Sequence, residues 1–275
     1  MSGGHGPQLT TIAAPMAGDF VVQGPSRCQA DGPVVVYETR PAGYDLWLAV
    51  VSMSAGATLK WTPGHAEEIG IVLAGTIEVC GVLCAADTVI GLETNAEATA
   101  SALEPSRLVM FGSSTTCDAS SGIVHIVGPG PATGLTMPSD TGEGTVSVGF
   151  FLDGTCDGCS LSLLDVSADT AHSTSSHNHS RDEIIYVEQG TLRTGPNAVS
   201  AGMAMAVPAN RQYLLRSEGR FRFLNFRSGV SIHRHRRSEV GSVETAEGWG
   251  HATTGVPHHR LTSARRGRSV YGDKA

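Results

Sequence analysis

His177-Asn178-His179-Ser180-Arg181-Asp182-Glu183-Ile184-Ile185-Tyr186-Val187-Glu188-Gln189-Gly190 sets two histidines two residues apart, then a carboxylate after a short polar interval, then an apolar run ended by glycine. On an extended chain alternate side chains leave by the same face, so His177 and His179 project together. Glu183, Ile185 and Val187 share one face of the strand that follows, and Gly190 is placed for a turn. Two imidazoles and a carboxylate converging on one point form the ligand set of a non-haem iron site, which manganese, nickel or zinc can also occupy.

The same texture extends outward in both directions. Val, Ile, Thr and Ser recur in short runs divided by Gly, Pro, Asp and Asn, and the chain carries 34 glycines. That pattern predicts an all-β protein. One set of strands is expected between Val34 and Val127 and a second between Thr145 and Phe226, the latter including Gln212 to Arg216. Both sets follow one order: strand, loop with a Glu, apolar run, Gly, hairpin strand, final strands. This is a repeat at domain length. The expected organisation is an N-terminal arm over residues 1–31, a first barrel over 32–127, a Gly- and Pro-rich linker over 128–144, a second barrel over 145–230 and a basic tail over 231–275. The arm is expected to lie against the second domain or a partner subunit.

The net charge is −7, and the 231–275 tail alone carries eight Arg and Lys against four acids, so the body before it is more acidic still. Such a body does not suit nucleic acid. No secretory signal and no apolar run of membrane-spanning length is visible, and the six cysteines in a chain of 275 residues do not form a disulfide framework. The expectation is a cytoplasmic protein with reduced thiols. Cys156-Asp157-Gly158-Cys159 has CxxC spacing but lacks a second pair in sequence, and so reads as a turn with two free thiols.

From Ala171 the second half spells Ala-x5-His177-x-His179-x3-Glu183-x6-Gly190, followed by Gly202-x5-Pro208-x-Asn210-x2-Tyr213. These stretches resemble the two motifs of the cupin superfamily, with Tyr213 where the family has its third metal-binding histidine. The first half resembles the first motif by spacing only, as Gly56-x5-Thr62-x-Gly64-x3-Glu68-x6-Gly75, with both histidine positions lost. The resemblance covers roughly residues 34 to 227. It implies two tandem double-stranded β-helix (jelly-roll) barrels, a bicupin, with the metal site kept only in the C-terminal one.

The ligands expected there are His177, His179 and Glu183, holding a divalent metal: Fe(II) first, with Mn, Ni or Zn as alternatives. Tyr213 and Glu183 are the candidate catalytic groups, although a one-residue slip would turn Gln212 inward in place of Tyr213. His65, Glu68 and Glu97 are a weaker candidate for a second site. Histidines 233, 235, 251, 258 and 259 are expected to be solvated in the tail. Arg193, Arg211, Arg222 and Arg227 are candidates to bind a substrate carboxylate.

The leading functional expectation is a cupin-type oxidoreductase, a dioxygenase acting on a small polar or aromatic metabolite. The alternatives are a Mn- or Zn-dependent hydrolase, lyase or isomerase, and a non-catalytic ligand-binding bicupin. Partners are expected to be a small-molecule substrate and a second copy of the chain as a homodimer, with no nucleic acid and no membrane.

Overall fold

The computed structural model describes residues 9–12, 28–114, 120–139, 144–156, 158–235, 242–262 and 270–271. Among these every regular element is a β-strand, so no helix is long and apolar enough to cross a membrane. The apolar patch at 19–23 lies outside the described residues.

The first barrel is built on a sheet in which Ser106–Ser113 lies between Leu46–Met53 and Glu68–Ala74, with Val89–Leu92 and Val124–Val127 beyond. A smaller sheet faces it, with Thr58–Trp61 and Ala98–Ala102 at its centre. The second barrel repeats the plan. Phe221–Ser228 lies between Leu161–Ala168 and Glu183–Gln189, with Ala204–Val207 on the far side. Facing it are two short sheets, one of which holds His177–His179, Ser231–His235 and Ser242–Glu244.

Leu46–Met53 shows why the strands form long apolar runs. Trp47, Ala49, Val51 and Met53 fill the interior of the first barrel. Leu46, Leu48 and Val50 point the other way, into a second core made by both barrels together. A strand buried on both faces needs apolar residues at every position. That shared core includes Phe111 stacked on Phe226 with ring centroids 5.5 Å apart, and Tyr44 crosses it to donate to the Ala206 carbonyl at 3.1 Å. The third core fills the second barrel, from Val146 and Phe150 to Tyr213 and Phe223.

The ends of the chain cross over. Thr10–Ile12, in the expected arm, pairs with Ala204–Val207 of the second barrel. His258–Leu261, in the expected tail, pairs with Val124–Val127 of the first. Three further segments differ from the sequence reading. Within the stretch read as linker, Thr133–Pro138 is a strand paired to Thr145–Asp153. Tail residues Ser231–His235 and Ser242–Glu244 are strands of the second barrel. Gln212 to Arg216 is mostly irregular: Tyr213 makes only an isolated bridge to His177, and a two-residue strand begins at Arg216.

Gly75 and Gly190 occupy the same turn in the two barrels, with φ of 80° and 78°. A Cβ at Gly75 would collide with the Pro105 carbonyl and the Ser106 side chain, and one at Gly190 with the Arg220 carbonyl. Both positions therefore combine a left-handed backbone with contact against another strand. Gly190→Ala and Gly75→Ala should each cost about 2 kcal/mol or more in urea unfolding. A loss within ~0.5 kcal/mol, the range of an ordinary surface change, would contradict this account.

Candidate metal centre

Two strands with the same His-x-His pattern build the site. His177–His179 runs antiparallel to Ser231–His235, placing His177 opposite His235 and His179 opposite His233. Alternation puts these imidazoles on one face. The His179 and His233 ring centroids are 4.7 Å apart, and the His177 centroid lies 5.0 and 4.8 Å from them. Ser242–Glu244 pairs with the outer edge of Ser231–His235 and brings Glu244 into the same space.

Glu183 enters from the main sheet, directly opposite Arg227 in register. Arg227 donates from Nε and Nη2 to Glu183 Oε2 at 2.9 and 2.7 Å, and Asn225 Nδ2 donates to the same oxygen at 2.8 Å. The other guanidinium nitrogen, Nη1, is ion-paired with Glu244. Arg227 is only 2% exposed, Glu183 1% and Glu244 3%. Two buried carboxylates thus share one guanidinium and flank His179, a costly arrangement in an apolar barrel unless every charge is paired.

Not every donor atom around these carboxylates is satisfied. Ligand atoms of His179, His233 and Glu244 lie within 4.8 Å of one another. His179 Nδ1 and Glu244 Oε2 approach to 2.8 Å, the same oxygen is ion-paired with Arg227 Nη1, and the two ring nitrogens of His233 have no hydrogen-bond partner. Buried polar atoms left in this way call for an explanation. A shared metal ion supplies one, since nitrogen and carboxylate oxygen are its usual donors.

Protonation states favour ligation. Burial pushes His177 down to about 4 and His233 down to about 3 from 6.5, so both are neutral and keep a lone pair. His177 Nδ1 donates to the Ser175 carbonyl at 2.7 Å, which leaves Nε2 as the acceptor nitrogen. A metal-binding histidine is commonly oriented in this way. Burial opposes ionisation of Glu244, but Arg227 and His179 together outweigh it and hold the carboxyl well below its usual range. Glu183 is also lowered, by His179 and Arg227 against the effect of burial.

Tyr213, and not Gln212, faces the site: Tyr213 is buried and Gln212 exposed. Burial first, and then the adjacent Glu183 carboxylate, raise the phenol well above 10. It is a neutral hydroxyl, able to donate a hydrogen bond or a proton.

These groups close one end of a cavity of about 190 Å³ whose walls include Val146, Val148, Leu164, Phe223 and Trp249. His177, His179 and Tyr213 line this cavity, and Glu183 reaches it from the main sheet with Oε2 4.0 Å from His179 Nε2, while the clustered ligand atoms are those of His179, His233 and Glu244. His233 and Glu244 were missed. The clue was the second His-x-His at 233–235, masked by the basic composition around it; Glu244 carried no signal in sequence. Arg227 is engaged by the two carboxylates, and Arg222 by Asp165, Asp87 and Glu188.

The first barrel has no such cluster at the matching place. Trp61 Nε1 donates to Glu68 Oε2 at 3.1 Å, both His65 nitrogens face backbone carbonyls, and Glu97 is exposed. Glu68 lies opposite Gly112 where Glu183 lies opposite Arg227, and Trp47 packs into the space a side chain at Gly112 would take.

No protein-family profile and no curated protein matches the sequence. Solved structures do match in fold. A putative glyoxylate-induced protein of Pseudomonas aeruginosa shares 17% identity over 75% of this chain and 84% of its own, with a TM-score of 0.59. The Ylba protein of E. coli shares 13% over 86% and 94%, with a TM-score of 0.55. A mutant oxalate decarboxylase of Bacillus subtilis shares 10% over 85% and 80%, with a TM-score of 0.56; that enzyme contains Mn(II) centres. The chain has the cupin fold, in its two-barrel form.

Two outcomes follow from the site. Arg227→Met should leave both carboxylates without their guanidinium and cost roughly 3–5 kcal/mol in urea unfolding; a loss under ~1 kcal/mol would show that the network does not hold the barrel. In the metal-free protein, the folded-state values of His177 and His233 lie below 6.5. The unfolded chain thus takes up protons first, so stability is full above pH 6.5 and falls as the pH drops toward about 4. Thermal melts across that range check it, and a flat melting temperature from pH 7 to about 4 would contradict it.

Proposed function

We propose that the chain is a metal-dependent enzyme acting on a small molecule in the second barrel, with the metal held by His179, His233 and Glu244 and with His177 beside it. The observation that carries this reading is the convergence of buried ligand atoms of His179, His233 and Glu244 within 4.8 Å of one another, with both ring nitrogens of His233 lacking a hydrogen-bond partner. It keeps the two-histidine, one-carboxylate chemistry that the motif implies, but exchanges His177 for His233 and Glu183 for Glu244. Glu183 becomes the residue that fixes Arg227, and through it Glu244.

Our reading of the reaction is a dioxygenase using Fe(II). The donor set leaves coordination positions open, and the cavity walls suit a substrate with an aromatic body and a chelating oxygen pair. When bound, such a metal supplies a Lewis-acid centre and a place to activate dioxygen. The chain's own residues do the rest. The apolar walls exclude water, neutral Tyr213 faces the cavity end with a proton to give, and Arg227 holds the charge of the carboxylates constant during turnover. A manganese-dependent lyase or decarboxylase is the second reading, favoured by the Mn(II) centres of the structurally similar decarboxylase.

Metal analysis of untagged protein tests the site. His233→Ala and Glu244→Gln should each lose the metal that wild type retains, whereas Glu183→Gln should keep most of it while losing stability. Equal metal in wild type and His233→Ala would remove the assignment. Oxygen uptake by the iron-loaded protein with small aromatic diols separates the two reactions; turnover without uptake by the manganese form favours the second.

A further inference from the structure

A second cluster of donor atoms lies between the barrels, away from the cavity. Glu93 and His125 come from the first barrel, and Cys156 and Cys159 from the loop that follows Thr145–Asp153 in the second. One ligand atom from each lies within 4.8 Å of all the others. Glu93 and His125 have no exposure, and Cys159 is buried as well.

The sequence reading made Cys156 and Cys159 a turn with free thiols. In the structure their Cα atoms are 5.4 Å apart and the sulfurs are joined as a disulfide, a separation that such a bridge accepts. A disulfide accounts for the sulfurs alone. It is neutral, and it gives no reason for a fully buried carboxylate and imidazole to converge on the same point.

Each of those two groups is pre-oriented. Glu93 Oε2 accepts from the Ser121 and Ile123 amides at 2.8 and 3.2 Å and from the Ser120 hydroxyl at 3.3 Å. This turns Oε1 toward His125 Nε2, 3.1 Å away. His125 Nε2 donates to that oxygen, and His125 Nδ1 faces His258 Nε2 at 3.2 Å, so when a cation takes the place of the Nε2 proton the ring can carry its proton on Nδ1 with an acceptor at hand.

We propose that, once the cysteine pair is reduced, Glu93, His125, Cys156 and Cys159 form a four-ligand site for a zinc-like divalent cation that clamps the two barrels together. Two thiolates, one imidazole and one carboxylate match the donors and number of a closed tetrahedral zinc site. The sulfur pair at CxxC spacing supplies half of it, and the first barrel supplies the half that sequence spacing does not reveal. The neighbouring contact supports a clamp at this place: Ser160, next to Cys159, donates from its amide to Glu67 Oε1 at 2.8 Å across the same junction. Reduction by a phosphine converts the S–S bond to two thiols, with water supplying the oxygen of the phosphine oxide. Metal binding then forms two metal–sulfur bonds and releases two protons. The proposal does not depend on the metal in the second barrel, whose donor set contains no sulfur.

Cobalt(II) substitution of the phosphine-reduced protein is the test, because only a thiolate ligand gives an intense near-ultraviolet sulfur-to-cobalt charge-transfer band. The band should appear in wild type, persist in His179→Ala and vanish in the double variant Cys156→Ser with Cys159→Ser. If that variant fails to fold, Glu93→Gln serves in its place: its amide oxygen can still accept from the Ser121 and Ile123 amides, and its cobalt affinity against a chelator should drop at least tenfold. A reduced wild type that shows two additional titratable thiols and no band would overturn the proposal. So would a cysteine pair that stays oxidised, by mass, after phosphine treatment, or a Glu93→Gln affinity equal to wild type.

Discussion

The second barrel is organised by a buried network of charged groups. Arg227 reaches Glu183 with two nitrogens and Glu244 with the third, deep in a core otherwise built of Phe, Leu and Val. An isolated ion in that setting is prohibitively costly, and even a paired one contributes little net stability. Such a network persists in a core when it positions something. Here it fixes the carboxylates on either side of His179, so the imidazole face and the acidic face meet at one end of the cavity. The ready ionisation of Glu244 follows from it, and the neutral state of Tyr213 follows first from burial and then from the Glu183 carboxylate.

The two barrels show what happens with and without that guanidinium. Their main sheets pair the equivalent glutamates with equivalent positions on the neighbouring strand, Gly112 in one and Arg227 in the other. With glycine there, Trp47 fills the space and Trp61 donates to Glu68 Oε2, and the gap left inside that barrel is close to the size of a single water molecule, about 10 Å³. With arginine there, the barrel stays open around a polar end. One register position thus separates a filled barrel from one that keeps an open cavity.

The long central strands were legible because packing on both faces demands apolar residues at every position, as in Leu46–Met53. The His177–Glu183 motif was legible because its spacing matches strand geometry. Strands such as Ala98–Ala102 and Ser231–His235 were not, since small or polar residues leave no periodic apolar signal. His233 is buried against other polar groups, a kind of burial that hydrophobic patterning does not register. Pairing across long sequence separations, as between Glu93 and Cys159, is set by how the barrels dock, and local sequence carries no trace of it.

The exchange of termini makes the molecule an interlocked pair and not two beads on a string. Thr10–Ile12 completes a sheet whose other strands lie more than a hundred residues downstream, and His258–Leu261 extends a sheet from the opposite half. Cutting the chain between the barrels would leave each fragment holding an edge strand that belongs to the other. Such fragments, made together, have a built-in means of recognising one another. Made separately, each would expose an unpaired sheet edge that invites association with whatever strand it meets first.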